Sequence, residues 1–276
     1  MSFTFHRILL ATEHTDFDTG AERLAFALAR ECAAPLLGVL PLVDNAEYES
    51  VAPEHVAKAE EDAFAKVTQL RAAAAAVGID LDIRVRRGEE PFREIVEEAQ
   101  QRNADLVVVR RRGKRGFFAR LMVGEMVGKV ATHAPCSVLL VPRAAHMWSQ
   151  RVLAGVDASP AALRAAETAA GIALRCNLPL LIASVAVHDT AADRARADSA
   201  VASAVATAER VGARTEGRGV TGRPDEAIAA LATQTGADLI VVGRTGEGGR
   251  LHRLLLGGTA HRVVGLASCA VLVVKP

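Results

Sequence analysis

The chain contains one stretch of sequence twice, and this repeat limits the folds open to it. An offset of 133 positions places residues 95–141 over 228–274 without a gap, and 20 of these 47 positions carry the same residue. Near the start of each copy, an offset of 144 places 7–11 over 151–155. A repeat of roughly 138 residues has the size of a domain and not of a solenoid module. The sequence therefore predicts two tandem domains of one fold, residues 1–146 and 147–276.

Short apolar runs alternate with longer helical stretches in both copies. Near-continuous apolar strands separated by helices indicate a parallel sheet that is covered on both faces. We therefore predict an α/β fold of two tandem doubly wound domains, each a five-stranded parallel sheet flanked by helices. The predicted strands are 8–12, 36–40, 79–86, 106–109 and 137–141 in the first copy, and 152–156, 180–187, 214–220, 239–242 and 270–274 in the second. The predicted helices are 19–32, 53–77 and 91–102, and 160–175, 191–211 and 224–235.

Composition excludes several classes of protein. Half of the residues are hydrophobic and the mean hydropathy is +0.20, which is too apolar for a disordered chain. No apolar run reaches the roughly 18 residues of a membrane-spanning helix, so we expect no membrane segment. The first residues show no secretion signal, so we expect a cytoplasmic protein. A net charge of +1 disfavours general binding to nucleic acid.

The four cysteines carry no metal or disulfide signature. They form two equivalent pairs in the repeat, Cys32 with Cys176 and Cys136 with Cys269, and no C-x-x-C occurs. Such spacing favours reduced thiols that fill the core over a zinc or redox site. The eight histidines show no ligand spacing either. We therefore predict no metal-binding residues.

The loops that follow the strands of the second copy are the first place to look for a ligand. Open parallel sheets bind ligands outside the carboxyl ends of their strands. There the sequence places Asp157 after the first strand, the glycine-rich segment 243–249 after the fourth, and 257–259 at the start of the last helix. Glycines let the backbone approach phosphates, and a helix N-terminus favours anions. Neither G-x-x-x-x-G-K-[ST] nor a G-x-G-x-x-G after the first strand is present, which disfavours P-loop and dehydrogenase sites.

Segments 152–160, 222–224 and 237–274 resemble the universal stress protein family, and 133–141 follows the same design. The resemblance covers nearly the whole chain as two copies and implies a cytoplasmic protein of the stress response. One branch of the family binds ATP through a pattern G-x2-G-x9-G-[ST]. For this chain the resemblance implies ATP, with or without magnesium, as a regulatory or structural ligand of the second domain, with no catalytic residue. The implied binding residues are Asp157, Val185, Gly243, Gly246, Gly249, Gly257, Gly258 and Thr259.

The second copy departs from that pattern in two ways. Ten residues, not nine, separate Gly246 from Gly257, and Gly258 stands at the Ser/Thr position. Thr259, one residue later, is a candidate for the missing hydroxyl.

The first copy departs further, and we predict that it does not bind ATP. Glu13 replaces the aspartate, and Pro41, which has no N–H, replaces the valine. Arg110 replaces the first glycine of the pattern. Glu125 stands where phosphate would meet the helix N-terminus, so its carboxylate would repel the anion.

Two other functions stay open at this point. The basic loop 110–115 is either a solvated surface cluster or, in a nucleotide-free interaction module, a docking site for an acidic protein partner. A slow ATP hydrolase would need an acid or base near the phosphates, for which Asp157 and His252 are the candidates. The family resemblance also implies that strands 137–141 and 270–274 pair within the chain. It leaves open whether two chains form a homodimer.

Overall fold

A computed structural model of the chain describes residues 5–13, 18–43, 53–111, 125–246 and 256–275. The chain forms two compact units. Among the described residues, those within 5–111 and 133–147 form the N-terminal unit, and those within 125–132 and 148–275 form the C-terminal unit. The domain boundary between residues 146 and 147 stays a prediction.

The N-terminal unit is built on a parallel sheet with the order β3-β2-β1-β4-β5. Ile8 at the start of β1 pairs with Leu36 of β2 on one side and with Leu106 of β4 on the other. After β1 the chain adds β2 and β3 on one side of that strand, and it then crosses back to add β4 and β5 on the other side. The strands are β1 (Ile8–Ala11), β2 (Leu36–Val43), β3 (Leu81–Gly88), β4 (Leu106–Arg110) and β5 (Ser137–Val141), and the described helices are α1 (Thr19–Cys32), α2 (Pro53–Ala76) and α3 (Pro91–Gln101).

The C-terminal unit repeats this arrangement with the order β8-β7-β6-β9-β10, all parallel. Val152 of β6 pairs with Leu180 of β7 and with Leu239 of β9. The strands are β6 (Val152–Gly155), β7 (Leu180–Ala186), β8 (Thr215–Thr221), β9 (Leu239–Gly243) and β10 (Ala270–Val274). The described helices after α4 (Glu125–His133) are α5 (Pro160–Cys176), α6 (Ala191–Val211), α7 (Pro224–Thr235) and α8 (Gly258–Leu266).

The inner strands of both sheets are apolar on both faces, which explains why helices cover them. Every residue of β1 is buried, as are the first three residues of β6 and the first four residues of β4 and β9. Helix α5 packs close to the sheet because its inner side is made of alanines, of which Ala165, Ala166, Ala169 and Ala170 are fully buried. The predicted α/β class with two five-stranded parallel sheets is confirmed.

Helix α4 is part of the first repeat in sequence, yet its residues up to Thr132 belong to the C-terminal unit. Arg244 Nη1 donates to the Thr132 carbonyl oxygen at 3.2 Å, and Leu256 N donates to Thr132 Oγ1 at 3.3 Å. These bonds tie the end of α4 to the loop that follows β9.

The prediction that the cysteines are mostly buried is wrong. Only Cys136 is buried, while Cys32, Cys176 and Cys269 are partly exposed. Cys32 and Cys176 end helices α1 and α5, where the chain reaches the surface before it turns into the next strand. None of the four, all of which are described, forms a disulfide.

Among the described helices, none combines the length and apolarity needed to cross a membrane.

Candidate functional site

A cavity of about 620 Å³ lies in the C-terminal unit, where the carboxyl ends of β6 and β9 diverge. This is the point at which the strand order reverses, and the volume falls in the usual range for small-molecule sites. Seven of the eight predicted binding residues line it, namely Asp157, Val185, Gly243, Gly246, Gly257, Gly258 and Thr259. The eighth, Gly249, lies outside the described residues. The structure thus brings together residues that are up to 102 positions apart.

Asp157 is held in place by the turn between β6 and α5. Ser159 N donates to Asp157 Oδ1 at 3.0 Å, and Ser159 Oγ in turn accepts a hydrogen bond from Ala162 N at 3.2 Å. Ser159 is therefore the N-cap of α5, and Pro160 occupies the first helical position. The cap fixes the direction in which the chain leaves β6, and the carboxylate of Asp157 is fixed with it.

Two glycines of the loop after β9 allow the backbone to pass close to its neighbours. A Cβ added to Gly246 would lie 2.5 Å from Asp157 Oδ2, which is far inside contact distance. A Cβ added to Gly243 would lie 3.1 Å from the carbonyl oxygen of Ala161. A side chain at either position would displace Asp157 or the start of α5, so the absence of a side chain is what shapes this wall.

The first turn of α8 supplies backbone donors to the cavity. Gly257 N donates to the Arg244 carbonyl at 2.8 Å, and the helix then begins at Gly258. No side chain caps this N-terminus and no acidic residue lies in its first turn. The positive end of the helix dipole and the N–H groups of the first turn can therefore accept an anion.

Two arginines of the lining were missed by the sequence analysis. Arg244 is buried, and its Nη1 donates to the Thr132 carbonyl. Arg262 lies on α8, and its Nε is 3.2 Å from Oδ2 of the buried Asp225. Arg262 could have been found, because on a helix it lies one turn after Gly258. Arg244 had no such signal.

A second cavity of about 380 Å³ adjoins the first and shares Asp157, Ser184, Val185 and Val187 with it. On its far side, His188 Nδ1 lies 3.0 Å from Asp193 Oδ2. The hydrogen bond from His188 lowers the pKa of Asp193. The two cavities therefore share residues at the end of β7 in their linings.

The corresponding position in the N-terminal unit holds a cluster of charged side chains. Arg110, at the end of β4, has its Nε 2.7 Å from Asp18 Oδ1 and its Nη2 2.9 Å from Glu13 Oε2. Asp18 is buried and also accepts hydrogen bonds from Glu13 N at 2.5 Å and Thr12 Oγ1 at 3.1 Å. Burial raises the pKa of Asp18 against the opposing effect of Arg110. An arginine thus lies where the C-terminal unit has Gly243.

The remaining replacements in the first copy, Pro41 and Glu125, fall in different units, so the role of Glu125 at a first-copy site stays a prediction. Pro41 is inside β2, opposite Arg86 of β3. Glu125 is in the first turn of α4, and its Oε1 is 3.0 Å from the Nζ of Lys129.

For Arg110, the interpretation of loop 110–115 as a solvated surface cluster is wrong. Its side chain is only 11% exposed, because the carboxylates of Glu13 and Asp18 hold it inside the unit. Residues 112–115 lie outside the described residues, as does His252. In the part of the chain that is described, no group of three or more His, Cys, Asp or Glu side chains could hold a metal ion.

The fold and the cavity define a class of protein. It is a doubly wound α/β protein in which glycines and a helix N-terminus line a cavity at the point where the strand order of the sheet reverses. The model of the universal stress protein family matches residues 4–142 and 149–275. The chain therefore belongs to the universal stress protein family, as a tandem member, and the resemblance seen in the sequence is confirmed. Proteins of this family act in the stress response.

Comparison with individual proteins agrees with this assignment. Universal stress protein MJ0531 of Methanocaldococcus jannaschii is 46% identical over 68 residues, which are 25% of this chain and 39% of that protein. The crystal structure of a universal stress protein from Archaeoglobus fulgidus covers 99% of both chains with a TM-score of 0.77 and 21% identity, which shows the shared fold. A universal stress protein solved in complex with cAMP is 31% identical over 46% of this chain and 97% of its own, with a TM-score of 0.39.

Proposed function

We propose that the C-terminal unit binds ATP, with or without magnesium, as a regulatory or structural ligand in a cytoplasmic stress response. The observation that carries the proposal is the cavity of about 620 Å³ whose wall contains seven residues chosen from the sequence alone. Its lining has the features that an adenine nucleotide requires: a carboxylate, apolar side chains and glycine backbone at a helix N-terminus.

Each part of the cavity matches one part of the nucleotide. The carboxylate of Asp157 can accept hydrogen bonds from ribose hydroxyls, and the backbone at Val185 can meet the adenine edge. The backbone around Gly246 and the first turn of α8 can receive the phosphates, because N–H donors and the helix dipole both favour negative charge there. Asp157 is the one carboxylate among the described lining residues, so it is also the residue that could approach a magnesium ion carried by the phosphates.

The proposal restricts ATP to the C-terminal unit. In the N-terminal unit, Arg110 is engaged by Glu13 and by the buried Asp18 at the place where a glycine would be needed. The two carboxylates beside Arg110 also oppose an anionic ligand there.

The proposed role is binding without efficient catalysis. Asp157 is held by Ser159 N, and the described lining of the 620 Å³ cavity contains no histidine and no second carboxylate that could act as a general base. His188 and Asp193 line the adjoining cavity and contact each other there. We expect phosphate release from ATP and magnesium to stay at the level of a protein-free control. Turnover that is lost in Asp157→Ala would instead indicate a hydrolase.

Calorimetric titration of the full chain with ATP tests the proposal. We expect one binding event per chain, abolished in Gly246→Val because the new side chain would meet Asp157 Oδ2. The matched control is Gly113→Val, the same change at the equivalent position of the first repeat, which should leave the affinity unchanged. Absence of binding to the native chain, or loss of binding in the control alone, would overturn the proposal.

A further inference from the structure

Arg262 occupies the space that a side chain at position 258 would fill. A Cβ added to Gly258 would lie 3.3 Å from Arg262 Nη1 and 4.0 Å from Arg262 Cζ. That separation is tighter than most Cβ contacts, so a side chain at position 258 would push the guanidinium aside by a few tenths of an ångström. The family pattern has Ser or Thr at this position. In this chain the guanidinium of Arg262 lies next to the position that the side chain of Ser or Thr would occupy.

Among the described residues, Asp225 anchors the guanidinium of Arg262 through its Nε edge. Arg262 Nε lies 3.2 Å from Asp225 Oδ2, and the side chain of Asp225 is 1% exposed. Asp225 is positioned in the first turn of α7, and it is also paired with Arg223 at 3.4 Å. Within the described part of the chain, no hydrogen bond or ion pair involves the two Nη atoms of Arg262. Four of its five N–H donors are therefore available to a ligand in the cavity that Arg262 lines.

The position of Arg262 on its helix is unusual for a positively charged side chain. Arg262 lies only four residues after the first residue of α8, near the positive end of the helix dipole. The first turn contains no acidic residue that would offset the two positive groups. An anion bound over Gly258 would interact favourably with both the dipole and the guanidinium.

The first repeat provides an internal comparison. The offset of 133 places Glu125 over Gly258 and Lys129 over Arg262. In α4, Glu125 Oε1 lies 3.0 Å from Lys129 Nζ, so a basic side chain at this position does reach an anion at the start of its helix. In the first copy that anion belongs to the protein. In the second copy the glycine leaves the same place to an outside anion.

We propose that Arg262 binds a phosphate group of the nucleotide, in place of the hydroxyl that Gly258 lacks. The inference rests on the proposed function and adds a residue to it. Arg262, held by Asp225, donates to phosphate oxygens above the first turn of α8. This role also replaces Thr259, an exposed residue of the same turn, as the source of the missing contact. The nucleoside part of the ligand makes no contact with Arg262 and does not depend on it.

Calorimetric titrations of Arg262→Gln and of Thr259→Ala with ATP and with adenosine test this role. Hydrogen bonds between charged groups are strong, so Arg262→Gln should lower the affinity for ATP about tenfold or more. Adenosine affinity should not change, which also shows that the variant is folded. Thr259→Ala should bind both ligands as the native chain does. Unchanged ATP affinity in Arg262→Gln, or an equal loss for adenosine and ATP, overturns the role of Arg262 and leaves the ATP site standing.

A second variant makes the C-terminal copy resemble the N-terminal one. Gly258→Glu places a carboxylate one turn before Arg262, as Glu125 is placed before Lys129, and should abolish ATP binding while adenosine still binds. ATP affinity equal to that of the native chain would overturn the inference. If the native chain binds neither ATP nor adenosine, the proposed function and this inference both fail.

Discussion

Single residues, such as the buried Asp18 in one copy and Gly246 in the other, make the two copies differ at the same point of the fold. In the C-terminal unit, Gly246 makes room for Asp157, and the cavity is open. In the N-terminal unit, Arg110 pairs with Asp18 and Glu13. The same point of the fold is therefore a cavity in one copy and an internal ion-pair cluster in the other.

Arg110→Ala should destabilise the protein, because it leaves the carboxylate of Asp18 buried without its charged partner. Removing one member of a buried ion pair costs about 3 kcal/mol or more in free energy of unfolding. Urea unfolding followed by circular dichroism measures the change. Arg93→Ala is the control, since Arg93 is an exposed arginine paired with Glu90 and should cost less than about 1 kcal/mol. Equal and small losses in both variants would show that the cluster around Asp18 contributes no stability.

Among the helices, α5 and α8 position the site, and they do so through their first turns. The Ser159 cap sets the start of α5 and the place of Asp157, while α8 begins at Gly258 with no capping side chain. A side chain thus caps the N-terminus of α5, whereas the N-cap residue of α8 is Gly257, which has no side chain.

Ser159→Ala removes the cap of α5 and should lower the free energy of unfolding by about 1 kcal/mol. The midpoint of urea unfolding measures this loss. The control is Ser203→Ala, which removes a hydroxyl from the exposed middle of α6, where it donates to the Ser199 carbonyl. Alanine is a good helix former, so this variant should be at least as stable as the native chain. A Ser159→Ala variant as stable as its control would argue against capping as the device that orders the turn.

Most strands could be predicted from the sequence, because each is a short apolar run and the same runs recur in both copies. Strands such as β5 and β10 match the sequence prediction residue for residue, and most others differ by one or two positions at an end. Those ends depend on the register with neighbouring strands, which no local pattern contains. The extension of β2 to Val43, past Pro41, is an example: Pro41 lacks an N–H, yet its neighbours continue to pair with β3.

The site was predictable where a motif marks it and not elsewhere. The glycines and Asp157 follow the family pattern, whereas Asp18 and Arg262 act through side chains from distant parts of the chain. Asp18 has no motif position, and it matters only because the fold buries it beside Arg110. Arg262 matters because α7 brings Asp225 to it. The helical spacing of Arg262 from Gly258 was visible in the sequence, but the packing that brings Asp18 to Arg110 and Asp225 to Arg262 was not.

Across the chain, the two copies share one fold and differ in the charges at its switch point. The pairing of β5 with β10 within one chain, the association of two chains and a protein partner all stay predictions. The central claim concerns occupancy: one nucleotide for each chain, in the C-terminal cavity.

The most direct test is a crystal structure of the full chain grown with ATP. We predict difference density for one nucleotide between Asp157, the loop at Gly246 and the first turn of α8, with a phosphate beside Arg262 and none beside Arg110. Density in the N-terminal unit, or a C-terminal cavity that stays empty at saturating ATP, would contradict the account.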